Sequence, residues 1–133
     1  MSIGSPRKPH TGEFEPAAGL TQQGRVRDDF DNWFGCDNST LLWHYPLADH
    51  YVRRNPHFTP PDPRVNVAAD ANPTRLFPIS RTLTRFNDPL HVNRVTSACG
   101  LGLYRDDLFG EEFNGNAFVC EPVHNLVHRL VLK

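Results

Sequence analysis

Three residues near the C-terminus pose the first chemical question. Cys120, His124 and His128 fall four positions apart in "NGNAFVCEPVHNLVHRLVLK" (114–133). On a helix that spacing sets one soft sulfur and two imidazoles on a single face, a donor set suited to zinc or copper. The residues between them argue for another local structure. Pro122 interrupts a helix, and Val119, Val123, Val127 and Val131 are β-branched. A hairpin suits them better, with strand "NAFVCEP", turn "VHN" and strand "LVHRLVL". In a hairpin the three side chains no longer converge, and no metal is assigned to them. A small self-standing β-domain with a metal site at this end is the competing view.

Two polar clusters follow. In "RDDFDNWFGCDNS" (27–39), Asp28, Asp29, Asp31, Asn32, Asp37 and Asn38 supply many oxygens of the kind a hard cation uses. Asp29, Asn32 and Asp37 are the Ca²⁺ candidates. The spacing is not that of an EF-hand, and Asp and Asn also favour turns for backbone reasons alone. In "RFNDPLHVNR" (85–94), His91 could act as a general base at neutral pH, with Arg85 and Arg94 binding an anionic or carbonyl-bearing group. Asn87, Asp88 and Asn93 complete that cluster as cofactor-binding candidates; a solvated loop is the alternative. Trp33, Trp43 and Tyr45 read as packing rather than as a sugar platform.

The three cysteines are Cys36, Cys99 and Cys120. If "SACGLGLY" and "NAFVCEP" pair antiparallel, Leu103 comes opposite Asn116 and Cys99 opposite Cys120. In an oxidising compartment that pair could be bonded, leaving Cys36 free, with roughly 3 kcal/mol of stabilisation on the chain-entropy model. Two buried thiols in neighbouring strands fit equally well.

These residues need a scaffold, and composition bounds it. The chain has 133 residues, the size of one domain, with a formal net charge of −1, which gives no electrostatic reason to expect nucleic acid or an anionic membrane as partner. Twelve prolines and nine glycines are too many for a helical bundle and point to short elements joined by turns. No run approaches the ~18 apolar residues of a transmembrane helix, and the first residues lack the apolar core of a secretory signal. C-x-x-C-H, Walker, G-x-G-x-x-G, H-E-x-x-H and G-x-S-x-G motifs are absent.

The pattern along the chain is all-β. Residues 1–10 read as an unstructured start and 11–133 as one domain. Residues 11–19 read as the end of a strand, "NWFGC" and "TLLWHY" as strands joined by the polar turn "CDNS", and 48–58 as a short helical turn ending before Pro56. Residues 55–78 hold six of the twelve prolines and form a long extended excursion. Residues 80–88 alternate as a strand, and "SACGLGLY", "NAFVCEP" and "NLVHRLVL" follow as strands around a turn-rich connection (108–115). No segment of ten or more residues shows a clean amphipathic helical period. The last strand has no successor to cover its edge, so a section of a larger sheet protein is expected.

"GEFEPAAGLTQQGRVRDDFDNWFGCDNSTLLWHYPLADHYVRRNPH", "LFPISRTLTRFNDP" and above all "YRDDLFGEEFNGNAFVCEPVHNLVHR" resemble the planctomycete-type membrane-bound dehydrogenases over about residues 11–132. Those are large secreted proteins with a six-bladed β-propeller similar to glucose/sorbosone dehydrogenases. The resemblance implies two to three blades here, since a blade takes about 40–50 residues in four strands. For the full-length protein it implies oxidation of a sugar or other small polar alcohol or aldehyde, with pyrroloquinoline quinone and Ca²⁺ as possible cofactors. Electrons would pass to a cytochrome c domain further along the chain. A periplasmic or secreted location follows, as does an inactive lone chain lacking its other blades. A non-enzymatic propeller that binds carbohydrate or protein is the alternative. Quinone-using relatives rely on a histidine base with arginines around the cofactor, and no position here is assigned to that histidine. Asp31 stands where the family pattern has glycine.

Overall fold

The structure, a computed structural model, describes residues 11–12, 19–52, 54–55, 57–59, 61–67, 74–78 and 93–132. It is all-β, with two antiparallel sheets that follow one another along the chain. The first contains β1 (Arg25–Arg27), β2 (Trp33–Asp37), β3 (Thr40–Tyr45) and β4 (Val65–Asn66), hydrogen-bonded in that order. The second contains β5 (Cys99–Leu103), β6 (Ala117–Glu121) and β7 (Leu126–Leu130). Along the chain between β3 and β5 lie one helical turn, α1 (Asp49–Val52), and the two residues of β4, while the excursion expected at 55–78 falls partly outside the described residues. The expected strands at 11–19 and 80–88 fall largely outside the described residues.

One shared core joins the two sheets. Phe34, Cys36, Leu41 and Leu42 from the first meet Ala98, Leu101, Ala117 and Val119 from the second. A short ladder closes its side: Leu76 donates to the Asn93 carbonyl at 2.7 Å and Val95 to the Thr74 carbonyl at 2.8 Å. That ladder drives the Leu76 side chain fully inside.

Two bulges explain how such short strands cover the core. Gly35 pairs with Trp43 but Asp37 pairs with Thr40, so Leu41 and Leu42 both oppose Cys36. Two consecutive leucines are thereby buried where strict alternation would bury one. In the second sheet Cys99 pairs with Cys120 but Gly102 pairs with Phe118, leaving Gly100 and Leu101 opposite Val119. Gly100 has φ +59°, a left-handed conformation that glycine adopts without a side-chain penalty. The straight register expected from sequence therefore holds at Cys99/Cys120 and slips by one beyond it, so Leu103 faces Ala117 rather than Asn116.

The two sheets carry the same short sequence. "R-D-D" follows the first strand of each sheet, at Arg27–Asp29 and Arg105–Asp107, and "N-x-F-x-C-[D/E]" spans β2 at Asn32–Asp37 and β6 at Asn116–Glu121. The matching positions face opposite ways. Phe34 and Cys36 point into the core, whereas in β6 it is Ala117 and Val119 that do so, with Phe118 and Cys120 on the far face. One face of the first repeat thus meets the other face of the second. Such contacts are head-to-tail, and they repeat around a ring or along an array.

Candidate functional site

The described polar groups converge at the end of the sheets where the β2–β3 and β6–β7 turns meet the segment entering β5. Glu121 closes β6 as Asp37 closes β2. Its carboxylate is fully buried and accepts the backbone N–H of Ser97 at 2.8 Å, of Thr96 at 3.1 Å and of Val123 at 3.3 Å. A carboxylate taken out of water is costly unless such donors surround it. Here they fix the segment that follows Asn93 and Arg94. The Ala98 N–H bonding to the Asn38 carbonyl at 3.4 Å ties the same segment to the first sheet.

His124 lies in the β6–β7 turn, its side chain 1% exposed, with Nδ1 3.5 Å from Glu121 Oε1. That approach lacks the geometry of a formed hydrogen bond, and Nε2 is also buried without a hydrogen-bond partner. Sequence reading placed His124 only in a metal set and gave Glu121 no role. The signal that could have found the pair is the tight "C-E-P-V-H" turn, which holds the two side chains three residues apart.

The hairpin expected for the C-terminus is present, and it separates the three residues that first suggested a metal. Cys120 pairs with Val127 and Val119 with His128, so Cys120 and His128 occupy opposite faces of the sheet. Burial pushes the His128 imidazole below its ordinary pKa. Cys99 and Cys120 face each other as the register required, and both thiols are unbonded.

The Ca²⁺ candidates are not brought together. Asp29 pairs with Arg105 at 2.8 Å. Asn32 is engaged with Asp28, donating Nδ2 to Oδ2 at 2.7 Å and its backbone N–H to Oδ1 at 2.8 Å. Asp37 sits at the other end of β2, about 16 Å away at ~3.3 Å per residue. There it accepts Trp43 Nε1 at 2.8 Å and the Ser39 N–H at 3.0 Å. Burial raises the Asp37 carboxyl, but the hydrogen bonds from Trp43, Ser39 and Thr40 outweigh it and hold the group below its ordinary value. Among the described residues no three His, Cys, Asp or Glu side chains form a group that could hold a metal. Of the aromatic residues of the first sheet, Tyr45 is buried with Arg25 3.9 Å from its ring, Trp43 carries Arg64 at 4.8 Å, and Trp33 is exposed.

Of the polar cluster at 85–94, Arg85, Asn87, Asp88 and His91 lie outside the described residues. Asn93 and Arg94 are exposed, Asn93 with φ +58° and Arg94 bridged to Arg75. No helix among the described residues is long and apolar enough to cross a membrane.

No curated protein and no solved structure matches the chain. One family model does, over residues 5–133, described as a domain of unknown function, DUF7133. That match spans nearly the whole sequence, and the chain belongs to the DUF7133 family.

Proposed function

We propose that this chain forms consecutive blades of a β-propeller in a secreted or periplasmic, dehydrogenase-like protein. Its full-length form oxidises a sugar or another small polar alcohol or aldehyde and passes the electrons to a cytochrome c. The observation that carries the proposal is the head-to-tail packing of two sheets built on one repeated sequence, with Phe34 and Cys36 of the first and Ala117 and Val119 of the second buried in one core. Contacts of this kind close into a ring when the rotation per unit allows it. The resemblance of "YRDDLFGEEFNGNAFVCEPVHNLVHR" to the membrane-bound dehydrogenases supplies the chemistry.

Among the described residues the Ca²⁺ candidates form no cation site. Asp29, Asn32 and Asp37 are separated and each is engaged by protein donors. On this proposal Ca²⁺ and the quinone are held by other blades, and no catalytic step is assigned to the Glu121–His124 pair.

The test is reconstitution of the protein from the complete reading frame with quinone and Ca²⁺, followed by aldoses and a dye acceptor. Substrate-dependent dye reduction supports the proposal. Sugar binding without reduction under any condition would instead establish a non-enzymatic binding propeller.

A further inference from the structure

We propose that Cys99 and Cys120 are the site of an intramolecular disulfide, closed by exchange with a small disulfide and reopened by a small thiol, that braces the segment entering β5. The two residues are direct partners in the antiparallel β5–β6 ladder and share one face of the sheet. Directly opposed residues in such a ladder have Cα atoms about 4.5 or 5.5 Å apart, both within the ~4.4–6.8 Å that a disulfide spans. The Cys120 sulfur lies 3.5 Å from where a side chain at Gly100, the residue after Cys99, would begin. Both residues are partly exposed in this chain, so a small reagent has access before a following sheet covers this face.

The third thiol lies near Cys99 but is enclosed in the core. Cys36 is fully buried, with its sulfur 3.9 Å from the Ala98 carbonyl, and burial pushes its pKa up to about 11. It has neither the access nor the thiolate character that exchange requires.

The predicted bond is reducible rather than permanent. Opposed Cβ atoms in a ladder stand about 4.5–5.5 Å apart, and a disulfide wants them at about 3.5–4.5 Å. The strands must close slightly, and strained bonds are the more easily reduced ones. The bulge at Gly100 lies beside the bond, where the ladder is already interrupted. Cys120 adjoins Glu121 and Cys99 lies two residues beyond Ser97, so the bond would reinforce the carboxylate contacts that hold the same segment.

The step balances as a thiol–disulfide exchange. The Cys99 thiolate attacks one sulfur of glutathione disulfide and expels a glutathione thiolate. The Cys120 thiolate then attacks the Cys99 sulfur of the mixed disulfide, expelling the second. Two electrons pass from the protein thiols to the reagent, and the two protons they lose end on the two glutathiones or in solvent.

The experiment treats the full chain with glutathione disulfide, alkylates the remaining thiols and maps peptides, natively and in denaturant. The expected result is a Cys99–Cys120 peptide, alkylation of Cys36 in denaturant only, and recovery of all three thiols with reduced glutathione. Cys120→Ser should yield no internal bond, while Cys36→Ala, which needs no exposed group replaced, should form the bond as the parent does. Three alkylated thiols after oxidation, a bond that includes Cys36, or glutathione adducts that persist on Cys99 or Cys120 would each overturn the proposal.

Discussion

Arg105 reaches from the end of β5 to place Nη1 2.8 Å from Asp29 Oδ1, at the end of β1. The two residues belong to successive copies of the same "R-D-D" turn, so the contact links one repeat to the next in the same sense as the core between the sheets. Both side chains are more than half exposed. A pair in that setting is worth ~0.2–1 kcal/mol and is screened by salt. A double-mutant cycle with Arg105→Ala and Asp29→Ala, read by urea unfolding, should give a coupling in that range that shrinks at 1 M NaCl. A coupling above ~2 kcal/mol would show that the link is a principal anchor between the sheets, contrary to its exposure.

Glu121 should matter more. Glu121→Ala strands the Thr96 and Ser97 N–H donors in partly buried surroundings, at about 1–3 kcal/mol for each. The expected loss is about 2–6 kcal/mol. Glu121→Gln retains an acceptor oxygen and should cost about half as much. Hydrogen exchange at the Ser97 amide is the local measurement: protection should vanish in the alanine variant and persist in the glutamine one.

His128 should make stability fall in mild acid. Its folded pKa lies below the ordinary histidine value of about 6.5, so above that value both states are neutral and nothing is lost. As pH falls through ~6.5 the unfolded chain takes up a proton that the folded chain refuses, and stability declines until the folded pKa is reached. The urea midpoint should therefore be lower at pH 5.5 than at pH 7. His128→Leu should flatten that part of the slope, and an unchanged slope would mean that another group carries it.

Asp31 has φ +66°, which accounts for a glycine-favouring turn before Trp33. Asp31→Gly removes the left-handed penalty but also the exposed Arg27–Asp31 ion pair at 2.8 Å and some chain stiffness. These effects are of similar size and opposite sign, so the net change should stay within about 1 kcal/mol. Asp31→Val, β-branched in the same conformation, should destabilise by about 2 kcal/mol. Thermal melts of the two variants decide it.

Much of this fold was legible where local chemistry is unambiguous. Pro122, the alternating valines and a four-residue polar turn fix the β6–β7 hairpin, and with it the separation of Cys120 from His128. Other elements left no local signal. Arg-Val-Arg forms β1 because β2 pairs with it through Arg25–Gly35 and Arg27–Trp33, although in isolation it reads as a charged loop. Val65–Asn66 forms β4 inside a proline-rich run because β3 offers it an edge. The bulges at Gly100 and at Leu41–Leu42 shift register by one residue, which no strand pattern announces. The partners of Glu121 are backbone donors 24 and 25 residues earlier, so residue types alone could not mark it. The repeated "N-x-F-x-C-[D/E]" could have been seen, yet its meaning depends on which face each copy buries.

The most direct test of the account is an experimental structure of the protein encoded by the complete reading frame. The far face of the second sheet, with Phe118, Cys120 and Val127, should be covered by a following sheet as Phe34 and Cys36 are covered here, with the sheets closing into a ring. That face left open to solvent, or packed against its own copy about a two-fold axis, would contradict the head-to-tail propeller.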